Sequence, residues 1–596
     1  MASQNPTDAT PSEAAAPQVL PDRTNPADNQ AGESKNAAKK AAKLAKLAAD
    51  KAAAKERAKE KKAAKKAEAP SDAPKKAPKK KTDGPALIGI DASKDGDFPN
   101  WYQQVLTKGD MLDYYDISGC FILKPNCFFI WEQITDFFNA KIKSIGVKNA
   151  MFPLFISSEV LEKEKDHIEG FAPEVAWVTH AGDTPLEKKI ALRPTSETVM
   201  YPYYSKWIRS HRDLPLRLNQ WCSVVRWEAK NPVPLLRTRE FLWQEGHTAH
   251  ATPEAAREEV LQILDWYAAI YEELLAVPMV RGFKSDAERF AGSEYSSSCE
   301  GYISAVGRGI QGATSHGLGQ NFSKMFNISF EGTNGEKELA WQNSWGFSTR
   351  SIGIMVMTHS DDKGLVLPPR VAQTQVMIVP VGITAKTTEE ERANLYAEIE
   401  GLVTVLKAAD IRVESDMREG YSPGWKFAQA ELIGIPLRLE FGPGESAGHF
   451  VTTARRDISG KDGKGSIPIA ELATGVPALL ETIQKDLFDR ANAEYTAHRK
   501  IITNFDEFTP LLNQKNVLVA PFCLAESCEE SIKTQTRRKA EEEAGEAEDA
   551  KAPSMGAKSL CIPLEQPEGI EPGVTKCINP ECSSFAQKWC MFGRSY

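Results

Sequence analysis

Large apolar side chains are sparse through residues 1–85 and then recur every few positions to the C-terminus, which separates an arm from a globular body. Residues 1–34, rich in Ala, Pro, Ser, Asn and Asp, are expected to be disordered. Ala38–Lys66 alternates Ala and Lys and predicts a helix with almost no apolar face, followed by a Pro/Lys linker at Ser71–Lys81. In the body, Phe129, Ile130, Ile134, Phe137, Phe138 and Ile142 recur at helical spacing and predict a helix over Phe128–Ile145. Met151–Ile156 reads as a strand interrupted by Pro153. Val224–Glu228, a Pro-bearing turn at Asn231–Leu235 and Phe241–Glu245 read as a hairpin. Helical and strand segments alternate to about Pro369, which makes one large α+β domain. Beyond it come strand Gln375–Val381, helix Glu389–Ala409, strand Arg412–Glu414, helix Lys426–Ile433, strands Leu437–Phe441 and Phe450–Ala454, and helix Ile469–Arg490. That order predicts an α/β unit with a mostly parallel sheet. The expected division is 1–85, 86–370, 371–501 and 502–596, with Arg537–Lys551 a solvated helix or loop in the last unit.

Composition agrees with several cores: 596 residues, 41% of them hydrophobic, are too many for one. No apolar run reaches the ~18 residues a membrane span needs. Asp8, Glu13 and Asp22 stand where a secretory or transit leader would have an apolar or basic stretch, so the cytosol is the expected compartment. The formal charge of −8 is unevenly distributed. Residues 35–81 hold 18 Lys and Arg against 5 Asp and Glu, a net of +13 that leaves −21 on the remainder. A basic arm on an acidic body suits nucleic acid, and a solubility tail is the plainer alternative.

Three segments carry candidate chemistry. Trp221–His247 gathers Arg226, Arg237, Arg239, Glu228, Glu240, Glu245 and three tryptophans around the Pro-broken turn. Guanidinium forks match phosphate oxygens, and aromatic or guanidinium planes accept a purine. The others are Arg193-Pro194-Thr195-Ser196-Glu197 and Asn343–Gly353, where Arg350 lies between glycines ahead of an apolar run. Near the C-terminus Cys523/Cys528 and Cys577/Cys582 share one internal spacing, the pattern of a closed structural zinc site, with Cys561 and Cys590 as alternative members.

Together with HIEGFAPEVAWVTHAG, RPTSETVMYPYYSKWI, FLWQEGHTAHAT, LGQNFSKMF and the terminal FGRSY, these segments resemble the prolyl-tRNA synthetases of eukaryotic and archaeal type, from about residue 86 to 596. The resemblance implies an antiparallel class II catalytic sheet, an α/β anticodon-binding domain and a small zinc-binding α+β domain. It implies Mg²⁺-assisted activation of L-proline by ATP, transfer to tRNA(Pro), and a homodimer. By the same resemblance Arg226 binds the α-phosphate and Arg237 the distal phosphates. Glu228 accepts from the adenine amino group, Phe241 and Arg350 sandwich the base, and Gln311 and Ser348 hold the ribose and its neighbours. Thr195 and Glu197 hold the proline nitrogen; Arg226 also faces the amino acid. Trp243, His247 and Phe290 wall the ring, and Glu245, Thr314 and His316 orient it. Lys426, Glu440, Arg455 and Arg456 are the expected anticodon contacts, although Gly442-Pro443-Gly444-Glu445 stands where relatives read Gly-Pro-Arg-Asp. About a hundred residues separate the hairpin from Arg350, too few for an editing domain. A catalytically silent tRNA-binding regulator is the rival reading, and a zinc-dependent nucleic-acid module the second.

Overall fold

The computed structural model describes residues 89–159, 161, 175–227, 231–544 and 555–596, so the expected arm lies outside the described residues. Helix α1, Pro125–Ser144, forms where the apolar spacing placed it and buries Cys127, Ile130, Trp131, Ile134, Phe138 and Ile142. Its N-terminal proline costs no hydrogen bond, because the first N–H groups of a helix have no internal partner. The expected strand over 151–156 shifts to Phe155–Ser157, because the carbonyls of Phe152 and Pro153 turn to the buried Arg193 guanidinium at 2.7 and 3.2 Å. Helix α2, Glu197–Trp207, follows.

Strands β1 (Leu216–Val225) and β2 (Glu240–His250) form the hairpin, in register from Leu216↔Ala249 to Val225↔Glu240. The strands are longer and begin earlier than the sequence reading placed them. Pro232 and Pro234 mark only the middle of a loop over 226–239, whose neck is closed by the Arg226 N–H on the Arg239 carbonyl at 2.8 Å. Then come α3 (Pro253–Ala269), β3 (Val280–Phe283), β4 (Tyr295–Ile303), β5 (Arg308–Gly319), β6 (Trp341–Ser348) and α4 (Arg350–His359). The order β3-β4-β5-β6-β2-β1 is antiparallel throughout.

Alternation along β6 shows how this sheet earns two different faces. Trp345 and Phe347 point into the core, where Phe347 stacks on Trp131 of α1 and Tyr267 of α3. Burying a ring of this size contributes about 2–3 kcal/mol. Ser344, Gly346 and Ser348 are the intervening residues of the period-2 pattern. Gly246, paired with Trp345, is required by close approach: a Cβ there would stand 2.2 Å from the indole.

The next unit comprises β7 (Val376–Pro380), α5 (Glu389–Ala408), β8 (Val413–Ser415), α6 (Pro423–Leu432), β9 (Leu437–Phe441), β10 (Phe450–Arg455), β11 (Lys464–Pro468) and α7 (Leu472–His498). In the order β8-β7-β9-β10-β11, the β8·β7 and β7·β9 pairs are parallel and the β9·β10 and β10·β11 pairs antiparallel. The expectation of a mostly parallel sheet is therefore corrected. The connections over 442–449 and 456–463 are too short for a crossover, which takes about a dozen residues.

β12 (Arg499–Ile501) does not close that unit but pairs in parallel with β13 (Val517–Phe522). After α8 (Glu526–Ala544) come β14 (Lys558–Pro563) and β15 (Lys588–Ser595). Of the expected charged insert, 537–544 continues α8, and 545–551 lies outside the described residues. β14 pairs with β3, so the C-terminal strands extend the catalytic sheet, among the described residues, into one of eleven strands, which ends on the short strand Lys148–Asn149 beside β1. The chain end folds back onto the catalytic sheet: the Tyr596 N–H meets the Gly309 carbonyl at 3.2 Å and its ring packs against the main core.

Candidate functional site

The hairpin, the start of α2, strands β4–β6 and the start of α4 enclose a cavity of about 320 Å³. Thr195, Glu197, Arg226, Phe241, Trp243, Glu245, His247, Phe290, Gln311, Thr314, His316, Ser348 and Arg350 line it together, although they come from segments far apart in sequence. Two expected members remain. Arg237 is exposed on the hairpin loop and outside the lining; Glu228 lies outside the described residues.

One end is acidic and buried. Glu197 is 3% exposed and accepts a hydrogen bond from the Thr195 hydroxyl. Glu245 is a hub: it accepts from the Ser196 N–H at 3.1 Å, the Ser196 hydroxyl, the Gln220 amide at 2.8 Å and His247 Nε2 at 3.0 Å. Burial works against its charge, but the bonds from His247, Ser196 and Gln220 outweigh it and hold the carboxyl below its ordinary range. Burial likewise opposes protonation of His247, yet Glu245 and Glu197 raise its pKa. His247 Nδ1 meets the Tyr201 hydroxyl at 2.9 Å, so both ring nitrogens are engaged and the ring acts as a wall. Opposite, Phe290 and His316 stand 4.8 Å apart between centroids, and His316 is pushed down to about 3 by burial, with His247 and Lys284 adding to it. A recess with two carboxylates, a histidine bonded to one of them and apolar walls suits a small cation carrying a ring.

The other end is cationic. Arg226 anchors Nε on the Pro194 carbonyl at 3.1 Å and lies over Phe241 and Trp243, at 5.6 and 5.2 Å from their centroids. Arg350 is fixed by the Leu236 carbonyl at 3.1 Å and the Gln311 carbonyl at 3.4 Å. Two guanidiniums pre-oriented by backbone carbonyls need no reorganisation to meet an anion.

The expected anticodon residues are consumed internally. Lys426 is 5% exposed and donates to the Asp416 carbonyl at 2.8 Å. Glu440 is buried between Arg438 and Lys464. Arg455 holds Asp457 and Asp486, and Arg456 makes a two-pronged pair with Asp361, tying the unit to the loop after α4. Most of the partners, Asp416, Lys464, Asp486 and Asp361, are distant or on another element, which periodicity does not reveal; Arg438 and Asp457 stand only two residues from Glu440 and Arg455. Beside α6, Arg418, itself paired with Asp416 but with about half of its side chain exposed, lies over Tyr421 and Trp425, at 5.4 and 5.1 Å, with the two rings stacked at 4.1 Å.

The Sγ atoms of Cys523, Cys528, Cys577 and Cys582 all lie within 4.8 Å of one another, with Cys528–Cys577 at 3.6 Å and Cys582–Cys523 at 3.7 Å. A tetrahedral ion about 2.3 Å from each sulfur needs edges of about 3.8 Å, so the four can hold one metal ion. Cys561 and Cys590, the alternative members, are instead buried on β14 and β15. The sequence reading also missed Lys284, Glu288, Ser296 and Trp345 in the lining. Lys284 carried no local signal, since one of its partners is Leu560, 276 residues away.

Known proteins are similar to this chain in sequence and fold. Residues 178–359 match the tRNA synthetase class II core domain (G, H, P, S and T), residues 375–479 the anticodon binding domain, and residues 505–596 the prolyl-tRNA synthetase C-terminal domain. The chain is 52% identical to a cytoplasmic proline–tRNA ligase of Arabidopsis thaliana, over 85% of this chain and 91% of that one. It is 47% identical to the proline–tRNA ligase of Encephalitozoon cuniculi, over 85% and 99%. The crystal structure of prolyl-tRNA synthetase from Cryptosporidium parvum complexed with halofuginone and AMPPNP is similar at a TM-score of 0.79, with 49% identity over 86% of this chain and 98% of that one.

Proposed function

The chain belongs to the prolyl-tRNA synthetase family, and on that premise we propose how its own residues divide the work of joining L-proline to tRNA(Pro) at the expense of ATP. The single observation that carries the division is the polarity of one cavity, with Glu197 and Glu245 at one end and Arg226 and Arg350 at the other. The carboxylates receive the secondary ammonium, and Phe290, Trp243 and His247 enclose the ring. Proline's carboxylate is thereby directed at the arginines. In the first step its oxygen attacks the α-phosphorus of ATP, the bond to the β-phosphate oxygen breaks, and pyrophosphate leaves with the electron pair. In the second, a ribose hydroxyl of the terminal adenosine attacks the acyl carbon, loses its proton, and AMP departs. Positioning and charge neutralisation carry both steps. Arg226 steadies the α-phosphate, Phe241 and Arg350 hold the base, Gln311 and Ser348 the ribose. Thr314 and His316, the latter neutral, shape the amino-acid end.

Mg²⁺ would draw its oxygens mainly from the triphosphate and water and offset its charge, since of the lining carboxylates Glu197 and Glu245 are buried at the ammonium end and Glu288 is paired with Lys558. Zn²⁺ would be held by the four clustered thiolates as a structural ion with no open position. For tRNA, the half-exposed Tyr421, stacked on Trp425 beside the Asp416-paired Arg418, offers a ring face to an unpaired base, while Lys426, Glu440, Arg455 and Arg456 are held in internal pairs. A homodimer is proposed on exposed large apolar residues around the short strands, Met151 at 74% and Phe155 at 51%. A cytoplasmic setting is proposed from the Arabidopsis relative's name; among the described residues no helix is long and apolar enough to cross a membrane.

ATP–pyrophosphate exchange measured with each of the twenty amino acids tests the reading. Exchange dependent on proline is expected, with weaker exchange on alanine, because one or two methylenes in an apolar pocket discriminate only ~10–200-fold each. Its absence with proline would sink the assignment. A catalytically silent regulator is not favoured, since the ammonium and phosphate groups converge on one cavity.

A further inference from the structure

Three consecutive residues of β14 grip the loop between β3 and β4 that walls the cavity. Lys558 Nζ donates to Glu288 Oε1 at 3.1 Å, the Ser559 and Ser285 hydroxyls meet at 2.9 Å, and the Leu560 carbonyl accepts from Lys284 Nζ at 2.7 Å. Lys284 and Glu288 line the cavity, as does Phe290 farther along the same loop. On its other side Ser559 donates to Glu529 Oε1 at 2.6 Å, and Glu529 directly follows the clustered Cys528 in α8. A carboxylate oxygen only accepts, so the Ser559 proton is spent on Glu529 and Ser285 must donate to Ser559. The polarity runs one way, Ser285 to Ser559 to Glu529, and all three residues are buried. From Ser285 the loop is held onward: its carbonyl accepts from the Glu288 N–H at 3.1 Å, the Phe290 N–H meets Ser296 Oγ at 3.0 Å, and that oxygen contacts His316 Nδ1 at 2.7 Å.

We propose that the Glu529–Ser559–Ser285 chain is a positioning device through which the cysteine-bearing domain sets the Phe290–His316 wall, and with it the affinity for the amino acid. The proposal rests on the reading that this wall receives proline. A buried, charge-assisted hydrogen-bond chain admits few alternative geometries, so loosening one link releases the loop rather than shifting it slightly. Of the nucleotide residues, Phe241, Ser348 and Arg350 stand on β2, β6 and α4, away from β14 in the sheet order, and Arg226 and Gln311, on the hairpin loop and β5, are bonded to carbonyls and strands outside this chain.

The test uses the full-length protein carrying Ser559→Ala, Ser285→Ala, both together, and Ser559→Thr, which keeps the hydroxyl. Proline-dependent ATP–pyrophosphate exchange gives KM for proline and for ATP, alongside the metal content of each variant. Each alanine variant is expected to raise KM for proline roughly 3- to 30-fold, the range of couplings through such networks. KM for ATP should stay within about twofold, the metal should be retained, and Ser559→Thr should restore most of the loss. The double variant should lose no more than the larger single, because both remove the same link. Unchanged KM for proline, equal rises for proline and ATP, or additive losses would each overturn the proposal. If Ser559→Ala lowers metal content, Lys558→Met, which cuts the more exposed link, must still raise KM for proline selectively; failure there overturns it too. Glu197→Gln run in parallel separates the two readings. If it weakens proline while the serine variants do not, only this chain falls; if it does not, the assignment of the pocket falls with it.

Discussion

Glu197 and Glu259 put two buried carboxylates to opposite uses. Glu197 lines the cavity and accepts from the Thr195 hydroxyl of its own segment, with its charge turned toward the space a ligand would fill. Glu197→Gln is expected to raise KM for proline by about tenfold or more, as loss of a charged hydrogen bond does, and to leave KM for ATP nearly unchanged. Exchange kinetics with each substrate varied would check it. Glu259 on α3 instead accepts from Arg217 at 2.8 Å, Asn343 at 2.9 Å, His250 at 3.0 Å and the Thr248 hydroxyl. Burial opposes its charge, but the bonds from His250, Thr248 and Asn343 win and hold its pKa down to about 2. A depressed folded-state pKa stabilises the protein above the unfolded value near 4.5, and that stability is lost as pH falls toward 2. Glu259→Gln should therefore cost roughly 3 kcal/mol at neutral pH and flatten the loss of stability between about pH 4.5 and 2. Chemical denaturation across that range would show whether the slope disappears.

At the scale of elements, the helix N-terminus and the strand end that present cysteines are the informative case. Cys523 follows β13, Cys528 lies in the first turn of α8, and Cys577 and Cys582 come from the segment before β15. Cys577→Ser is expected to abolish the zinc binding proposed for this site and loosen the C-terminal strands, since metal binding at a closed site is coupled to local folding. Metal analysis with limited proteolysis would decide it, and wild-type protein purified without chelators and free of zinc would defeat the idea. α6 poses the other case. Ser422 caps it, and its first turns present Trp425 stacked on Tyr421. Trp425→Ala is expected to weaken tRNA(Pro) binding by about 1–3 kcal/mol, the worth of one base–aromatic stack, with no change in proline-dependent exchange. Equal tRNA affinity for wild type and variant would return that surface to ordinary packing.

For the whole molecule, the catalytic and C-terminal strands share one sheet, so the last domain is part of the scaffold on which the pocket stands. The arm is argued from charge alone, because residues 1–85 lie outside the described residues. Deleting residues 1–83 is expected to leave proline activation intact and to weaken tRNA binding, given the +13 carried by residues 35–81. Each lost phosphate contact should make the log–log salt dependence shallower by roughly 0.7–0.9. Titrating tRNA against full-length and truncated protein at several salt concentrations would distinguish this from a solubility tail, for which slope and affinity would coincide.

How much was legible follows from the range of each interaction. The residues of α1, the hairpin's existence, the clustered cysteines and most of the pocket were readable, because periodicity, proline breakers and residue chemistry are local and the segments resemble those of a known family. Strand ends were not: β1 and β2 stop where cross-strand partners stop, and the β9–β11 directions depend on loop length against sheet geometry. The fates of Lys426, Glu440, Arg455 and Arg456 were hidden for the same reason, since a charge looks equally available in sequence whether it meets solvent or, as with Arg456, a carboxylate 95 residues away. The chain by itself determined which chemistry was present and roughly where each element would form. Only the tertiary structure decided which charges remained free to act, because desolvation and pairing are properties of the packed neighbourhood and not of the residue.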